Sequence, residues 1–278
     1  MLYLHNILNG IWMINEDFAA NYVPLVKAYL RGESPRNTTR VPEEFLTIYN
    51  GNKSREQIND LRGAPLGSIA VINISGVITK HDQECGPDGM ASKAAILEAC
   101  YNTENIRGIV LRIDSGGGEG QAMRLFAEKL SERNKPVVAF IEDYACSAAY
   151  GIASGADVIV ANSPLAQVGS IGTYLTVADY SKQWEMEGIR LIEIYASSSP
   201  DKNKDYYEAI KGNLEPLRKV ADHFNESFLK MVETNRASQL KTDREAWGTG
   251  KIFFADKAKK DGLIDEIDSF NNILNYFV

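Results

Sequence analysis

A serine at the seam between an apolar run and a stretch of small residues can act as a nucleophile. Tyr144-Ala145-Cys146-Ser147-Ala148-Ala149-Tyr150-Gly151 has that form, directly after the apolar run Val137–Ile141. A hydroxyl placed where a strand gives way to a helix meets free N–H groups and the positive end of the helix dipole. Both favour a developing negative charge. The placement is that of a nucleophile elbow, although G-x-S-x-G is absent. The plain alternative is an N-cap serine. Cys146 is a rival nucleophile by chemistry, but no histidine stands near it in sequence to activate it, and a small buried thiol is the simpler reading.

A second segment, Asp114-Ser115-Gly116-Gly117-Gly118-Glu119-Gly120, follows another apolar run. Glycines admit positive φ and let a ligand approach the backbone amides. A strand, a glycine turn and a helix start together make an anion or oxyanion site. The alternative is a tight β-α turn that needs glycine for shape alone. The run fits neither G-x-G-x-x-G nor G-x-x-x-x-G-K-[ST], so a nucleotide site has little support.

A serine nucleophile needs a base. The chain has three histidines, His5, His81 and His223, and none falls in a strand-end loop. A lysine can serve when burial favours its neutral form. Lys202 and Lys204 stand together in the polar stretch Ser197–Asp205. The alternative there is a solvated loop. No H-E-x-x-H, Cys/His cluster or calcium-loop pattern occurs, so neither metal nor cofactor is expected.

The elements that must position these residues follow from periodicity. Five β-rich runs are predicted: Ser68–Ile78, Gly108–Asp114, Pro136–Glu142, Asp157–Ala161 and Arg190–Tyr195. Between them lie helical patterns at Ser92–Tyr101, Gln121–Arg133, Ser147–Ser154 and Val177–Glu187. This alternation predicts an α/β fold with parallel strands, and near-continuous apolar runs predict strands buried on both faces. A long helix is expected over Leu214–Glu233, with Leu214, Leu217, Ala221, Phe224, Phe228 and Met231 at spacings of three and four. That stripe packs on its own body or, in part, on another subunit. A short helix near Asp256–Lys260 and a strand-like piece at Leu263–Ile267 close the pattern. Residues 1–60 read as an arm, with helical patterns at Asp17–Leu30 and Pro42–Tyr49. Residues 61–278 read as one domain.

The 278 residues are 44% hydrophobic and 24% charged, which suits a globular chain with a sizeable core. The net charge of −7 argues against a nucleic-acid surface. Three cysteines without C-x-x-C spacing argue for a reducing compartment. No run of eighteen apolar residues predicts a membrane span. Met1–Ile14 is apolar, but no Lys or Arg leads it and polar residues interrupt it, so it is not read as a secretory signal. A cytoplasmic location is the expectation.

At these segments the sequence resembles the signal peptide peptidase A (protease IV) family, including phage head-maturation relatives. The family's S-P-G-G is similar to Ser115-Gly116-Gly117-Gly118, with Gly116 where proline is common. Its A-S-G-G-Y is similar to Cys146-Ser147-Ala148-Ala149-Tyr150, with alanines for glycines. Val168-Gly169-Ser170-Ile171-Gly172 and the closing Gly250–Ala258 and Gly262-Leu263-Ile264-Asp265 also resemble family segments. The resemblance covers about residues 67–268. It implies a Clp-protease/crotonase-like spiral of β-β-α units and a serine endopeptidase with a Ser-Lys dyad. Ser147 takes the nucleophile position, and the backbone amides of Gly117, Gly118 and Ala148 are the implied oxyanion donors. The family's S-G-x-x-K loop corresponds to Ser198–Lys204 with altered spacing. Lys202 and Lys204 both stay open as the base, with Lys202 closest in register. The resemblance further implies a peptide or protein substrate and a homo-oligomeric ring with sites shared between subunits. Prophage capsid processing and peptide degradation are the roles it suggests. The departures also leave room for an inactive scaffold on the same fold, and an acyl-CoA enzyme on that fold ranks third.

Overall fold

Apolar runs as long as Ile109–Ile113 and Val137–Ile141 can be buried on both faces only in the middle of a sheet. That is where they lie. The computed structural model describes residues 11–14, 46–56, 60–83, 87–190 and 192–277. Its strands are β1 (Ile11–Ile14), β2 (Leu46–Tyr49), β3 (Arg55–Glu56), β4 (Ser68–Ile78), β5 (Ile106–Glu119), β6 (Val137–Cys146), β7 (Val158–Ala161), β8 (Gln167–Gly169), β9 (Tyr174–Leu175), β10 (Ile252–Phe254) and β11 (Glu266–Ile267). The helices are α1 (Met90–Tyr101), α2 (Gly120–Ser131), α3 (Ala148–Ser154), α4 (Ser181–Met186), α5 (Lys204–Ile210), α6 (Glu215–Asn235), α7 (Arg244–Trp247), α8 (Ala255–Asp261) and α9 (Phe270–Ile273).

The strands join in one sheet, with β4, β5, β6 and β7 parallel and adjacent at its centre. The fold class is α/β, as the alternation predicts. β6 forks: its first half pairs with β7 and its last three residues with β8. One face of the sheet packs on α1, α2 and α3 through Leu97, Phe126, Leu130 and Ile152. The other carries Val71, Val110 and Phe140 beneath α9 and the final turn at Leu274–Phe277.

Several predicted elements are corrected. The glycine run is not a turn, because β5 continues through it to Glu119. Leu46–Tyr49 is a strand between β4 and β3 rather than the end of a helix. The pattern at Val177–Glu187 yields only α4, and Leu263–Ile267 only β11. Among the described residues, Arg190–Tyr195 forms no strand, and Ile192 and Ile194 are 74% and 91% exposed. The outer edges of β7 and β8 are taken by β11 and β10. The helix predicted over Asp17–Leu30 lies outside the described residues.

The long helix divides along its length. Phe228, Leu229 and Val232 are buried on the body, whereas Leu214, just ahead of its first turn, is 54% exposed. The C-terminal half of the stripe is core, and the N-terminal half is only partly covered.

Candidate active site

β6 ends at Cys146 and α3 begins at Ala148, so Ser147 is the single residue at the junction. Its φ of 56° and ψ of −121° are sparsely populated for a residue with a side chain. Such strain persists only where the surroundings over-determine it, and it concentrates at functional positions. Here the surroundings are backbone. The Ser147 N–H donates to the Gly169 carbonyl at 2.7 Å, and the Ser147 carbonyl accepts from Gly151 N–H at 3.0 Å. Ala148 and Ala149 are fully buried, and a Cβ on Gly151 would run into the Met123 sulfur. Small residues after Ser147 therefore let α3 sit close to α2.

The glycine strand passes directly against this serine. A Cβ on Gly117 would stand 3.0 Å from Ser147 Cβ and would collide with the Met13 carbonyl oxygen. Gly117 also has a φ of 105°. A Cβ on Gly118 would strike the Ile78 carbonyl oxygen on the opposite side. Strands close in from both edges, so these positions need glycine for approach as well as for conformation. Ser115 Oγ donates to the Gly76 carbonyl at 2.5 Å and accepts from Gly117 N–H at 3.1 Å. The Gly117 amide is thus engaged within the chain, Gly118 is paired with Met13 and Ile78, and Ala148 opens α3.

The other segments singled out in sequence gather round the same point. Gly169 pairs with Cys146 in β8. Ser170, at φ 50°, donates its N–H to the Lys251 carbonyl, and Gly250 N–H donates to the Ile171 carbonyl. Tyr150 OH donates to the Leu263 carbonyl at 2.8 Å, tying α3 to the closing segment. Burial pushes the Cys146 thiol up to about 12, so it stays protonated near neutrality and lacks thiolate character.

The two lysines stand apart. Lys202 lies in an exposed turn, and Lys204 opens α5 with Nζ 3.1 Å from Asp201 Oδ1. Neither has a hydrogen bond to Ser147 among the described residues. Two features escaped the sequence reading. One is β1, which runs beside the glycine strand: Ile14 pairs with Gly117 and Met13 with Gly118. The other is a cavity of about 360 Å³ next to Ile14, lined by Ser170, Thr173, Asp222 and Asn225 among others. Its residues come from four separate stretches of the chain, which no local pattern brings together. Among the described residues no cluster of His, Cys, Asp or Glu could hold a metal ion, and no helix is long and apolar enough to cross a membrane.

Residues 129–277 match the model of peptidase family S49. The chain belongs to peptidase family S49. Among relatives, Protease 4 of Haemophilus influenzae is 27% identical over 214 residues, covering 74% of this chain and 34% of that protein. A protein of Methanocaldococcus jannaschii named as a protease is 30% identical over 181 residues, covering 64% of this chain and 58% of that one. The chain therefore spans about a third to just over half the length of these curated relatives. Among solved structures, a ClpP1 mutant from Listeria monocytogenes aligns with a TM-score of 0.46 at 14% identity, covering 73% of this chain and 94% of that chain. The matched S49 region contains Ser147, both lysines and the closing segments, whereas the glycine strand precedes it.

Proposed function

We propose that this S49 member is a serine endopeptidase with Ser147 as nucleophile. The observation that carries the reading is Ser147 itself, held at positive φ at a strand-helix junction with the glycine strand against it. Ser147 Oγ attacks the substrate carbonyl while a neutral lysine takes its proton. The lysine returns that proton to the leaving amine, and water then cleaves the acyl-enzyme with the same base assisting. The amides of Gly118 and Ala148 are the proposed oxyanion donors, each worth about 3–4 kcal/mol to the transition state. The phage relatives in the resemblance extend the proposal to capsid-protein processing. Portal and capsid genes beside this one would support that role, and a locus without them would oppose it.

The base is proposed to come from a neighbouring subunit. Lys202 and Lys204 are solvated within one chain, whereas a lysine base needs a site that disfavours its charge. The segment before them carries exposed Ile192 and Ile194, and the start of α6 after them is only partly covered. Apolar surface flanking the loop on both sides suits an interface that would bury it. Mixing Ser147→Ala protein with Lys202→Ala protein tests this. Each alone should be inactive, and mixed assemblies should recover activity at sites pairing an intact serine with an intact lysine. No recovery after verified subunit exchange, or activity from a species of monomeric mass, would sink the claim. Recovery with Lys204→Ala but not Lys202→Ala as partner would assign Lys204.

The same exposure favours a second reading, a scaffold that keeps the fold without the activity. A fluorophosphonate probe separates the two, because only an activated serine is labelled. Labelling of wild type that rises from neutral to alkaline pH, and that is lost with the functional lysine, is the expected result. An assembled wild-type protein that stays unlabelled throughout would favour the scaffold.

A further inference from the structure

Beyond Ser115, β5 loses one of its neighbours. β6 accompanies it only as far as the pairing of Ser115 with Ala145, then turns away through Ser147 into α3. β4 stays on the other edge through Gly118. The edge that β6 leaves open lies beside Ser147, and β1 fills it. The register is antiparallel, Ile14 with Gly117, Met13 with Gly118 and Trp12 with Glu119. The far edge of β1 is paired as well, Ile11 with Leu175 and Trp12 with Tyr174 in β9. β1 is thus laddered to β5 over Trp12–Ile14 and to β9 over Ile11–Trp12, with Trp12 paired on both sides. The Met13 carbonyl oxygen and Ser147 Cβ crowd the same space at Gly117. The Met13 side chain is buried against Gly120, its Cε 3.1 Å from where a Cβ would be.

A strand added to an open edge is how an extended peptide is gripped: main-chain bonds supply affinity and side-chain pockets supply choice. β1 already holds the β5 edge over Glu119, Gly118 and Gly117, so no second strand can use this slot while β1 is in it. We propose that β1 is an intramolecular occupant of the peptide-binding cleft, closing the site to other peptides until it is displaced. This rests on the reading of Ser147 as the centre of a peptidase site.

Met13 fills its slot closely, whereas Ile14, though buried, stands beside a polar cavity. Ile14 lines the cavity formed by Ser170, Thr173, Asp222 and Asn225. Thr173 Oγ1 and Asn225 Oδ1 are buried there without a hydrogen-bond partner among the described residues. An isoleucine can satisfy neither, and an unpaired buried polar atom is costly. A peptide carrying a donor side chain at this position, lysine or glutamine, meets Asn225 Oδ1 and the Asp222 carboxylate. Such a peptide gains what Ile14 forgoes and is the class of ligand that displaces β1.

The test locks and releases the strand. Ile11→Cys with Leu175→Cys places cysteines at paired positions of β1 and β9, where an oxidised bridge would hold β1 in place. Met13→Asp puts a charge into its buried slot and expels it. The probe is a fluorescent octapeptide with lysine flanked by apolar residues. Its binding is read by anisotropy with Ser147→Ala also present, and its hydrolysis with Ser147 intact. The bridged form should bind about tenfold or more weakly than the same protein after reduction. Met13→Asp should bind about tenfold more tightly than its parent, the change expected when the open state rises from about a tenth of the population to nearly all of it. Hydrolysis should shift through KM with kcat little altered. A verified bridge that leaves binding unchanged overturns the proposal even if Met13→Asp fails to fold, and so does a folded Met13→Asp protein with parental affinity. Absence of peptide binding in every form overturns it too. Binding that responds as stated while no form hydrolyses the peptide would sustain the occupant and refute the peptidase reading instead.

Discussion

Ser147→Ala is expected to reduce peptide hydrolysis by about 10⁵–10⁶-fold, the loss that follows when a serine nucleophile is removed and only binding and oxyanion donors remain. The substitution deletes one oxygen. The positive φ, the amide bond to Gly169 and the packing of α3 all belong to the backbone and stay as they are. The melting temperature should therefore hardly move, which separates a chemical effect from unfolding. Cys146→Ala is the control. Its thiol is fully buried and held protonated, so its removal should cost a little stability and well under tenfold in rate. Hydrolysis of an unstructured protein, followed by mass spectrometry of the fragments, measures both. A Ser147→Ala protein as active as its parent would end the assignment. An inactive, folded Cys146→Ala protein beside an active Ser147→Ala one would transfer the role to the thiol.

The position of Ser147 was legible because it depends on local order alone. An apolar run forces a buried strand, small residues force a close helix, and the residue between them is fixed by counting. β4, β5, β6 and β7 were legible for the same reason. What failed depends on partners far off in sequence. The strand at Ile106–Glu119 outruns its apolar part because β1 and β4 close in on Gly117 and Gly118, and no local rule reveals that approach. Arg190–Tyr195 has strand-like composition but, among its described residues, joins no ladder. Ile11-Trp12-Met13-Ile14 is a short apolar run, which periodicity cannot assign to a strand or a helix. The lysine question is of the same kind. Spacing brings two candidates into one loop, whereas the distance from that loop to Ser147 is set by tertiary and proposed subunit contacts.

Arg236 anchors the closing segment. The guanidinium is 1% exposed at the end of α6 and makes a two-pronged pair with Asp265, at 2.9 and 2.7 Å. Its Nε and Nη2 also donate to the Gly262 carbonyl. Asp265 in turn accepts from the Ile159 N–H at 2.7 Å, so the pair clamps α6 and the segment before β11 onto β7. Arg236→Ala removes five donors' worth of guanidinium from a buried site. It leaves the Asp265 carboxylate without its cation and the Gly262 carbonyl without those donors. Breaking a buried pair from one side costs about 3–5 kcal/mol. The Asp265 side chain is 24% exposed, and water can partly solvate it, which places the expected loss near the lower end of that range. Urea unfolding measures it. Because the arginine is out of solvent, the loss should persist at high salt, where an exposed pair would already be screened. Arg236→Met keeps most of the volume and loses the charge, so it should recover the packing part of the deficit and none of the pairing part. A loss below about 1 kcal/mol, the ordinary worth of a surface pair, would mean that the clamp is not closed in solution. The damage should also reach the site. Leu263, whose carbonyl accepts from Tyr150 OH, sits between Gly262 and Asp265, so loosening this segment frees α3 behind Ser147. In Arg236→Ala, hydrogen exchange at Gly151 and Ile159 should rise together. Faster exchange at Ile159 alone would show that the clamp holds β7 without supporting the nucleophile.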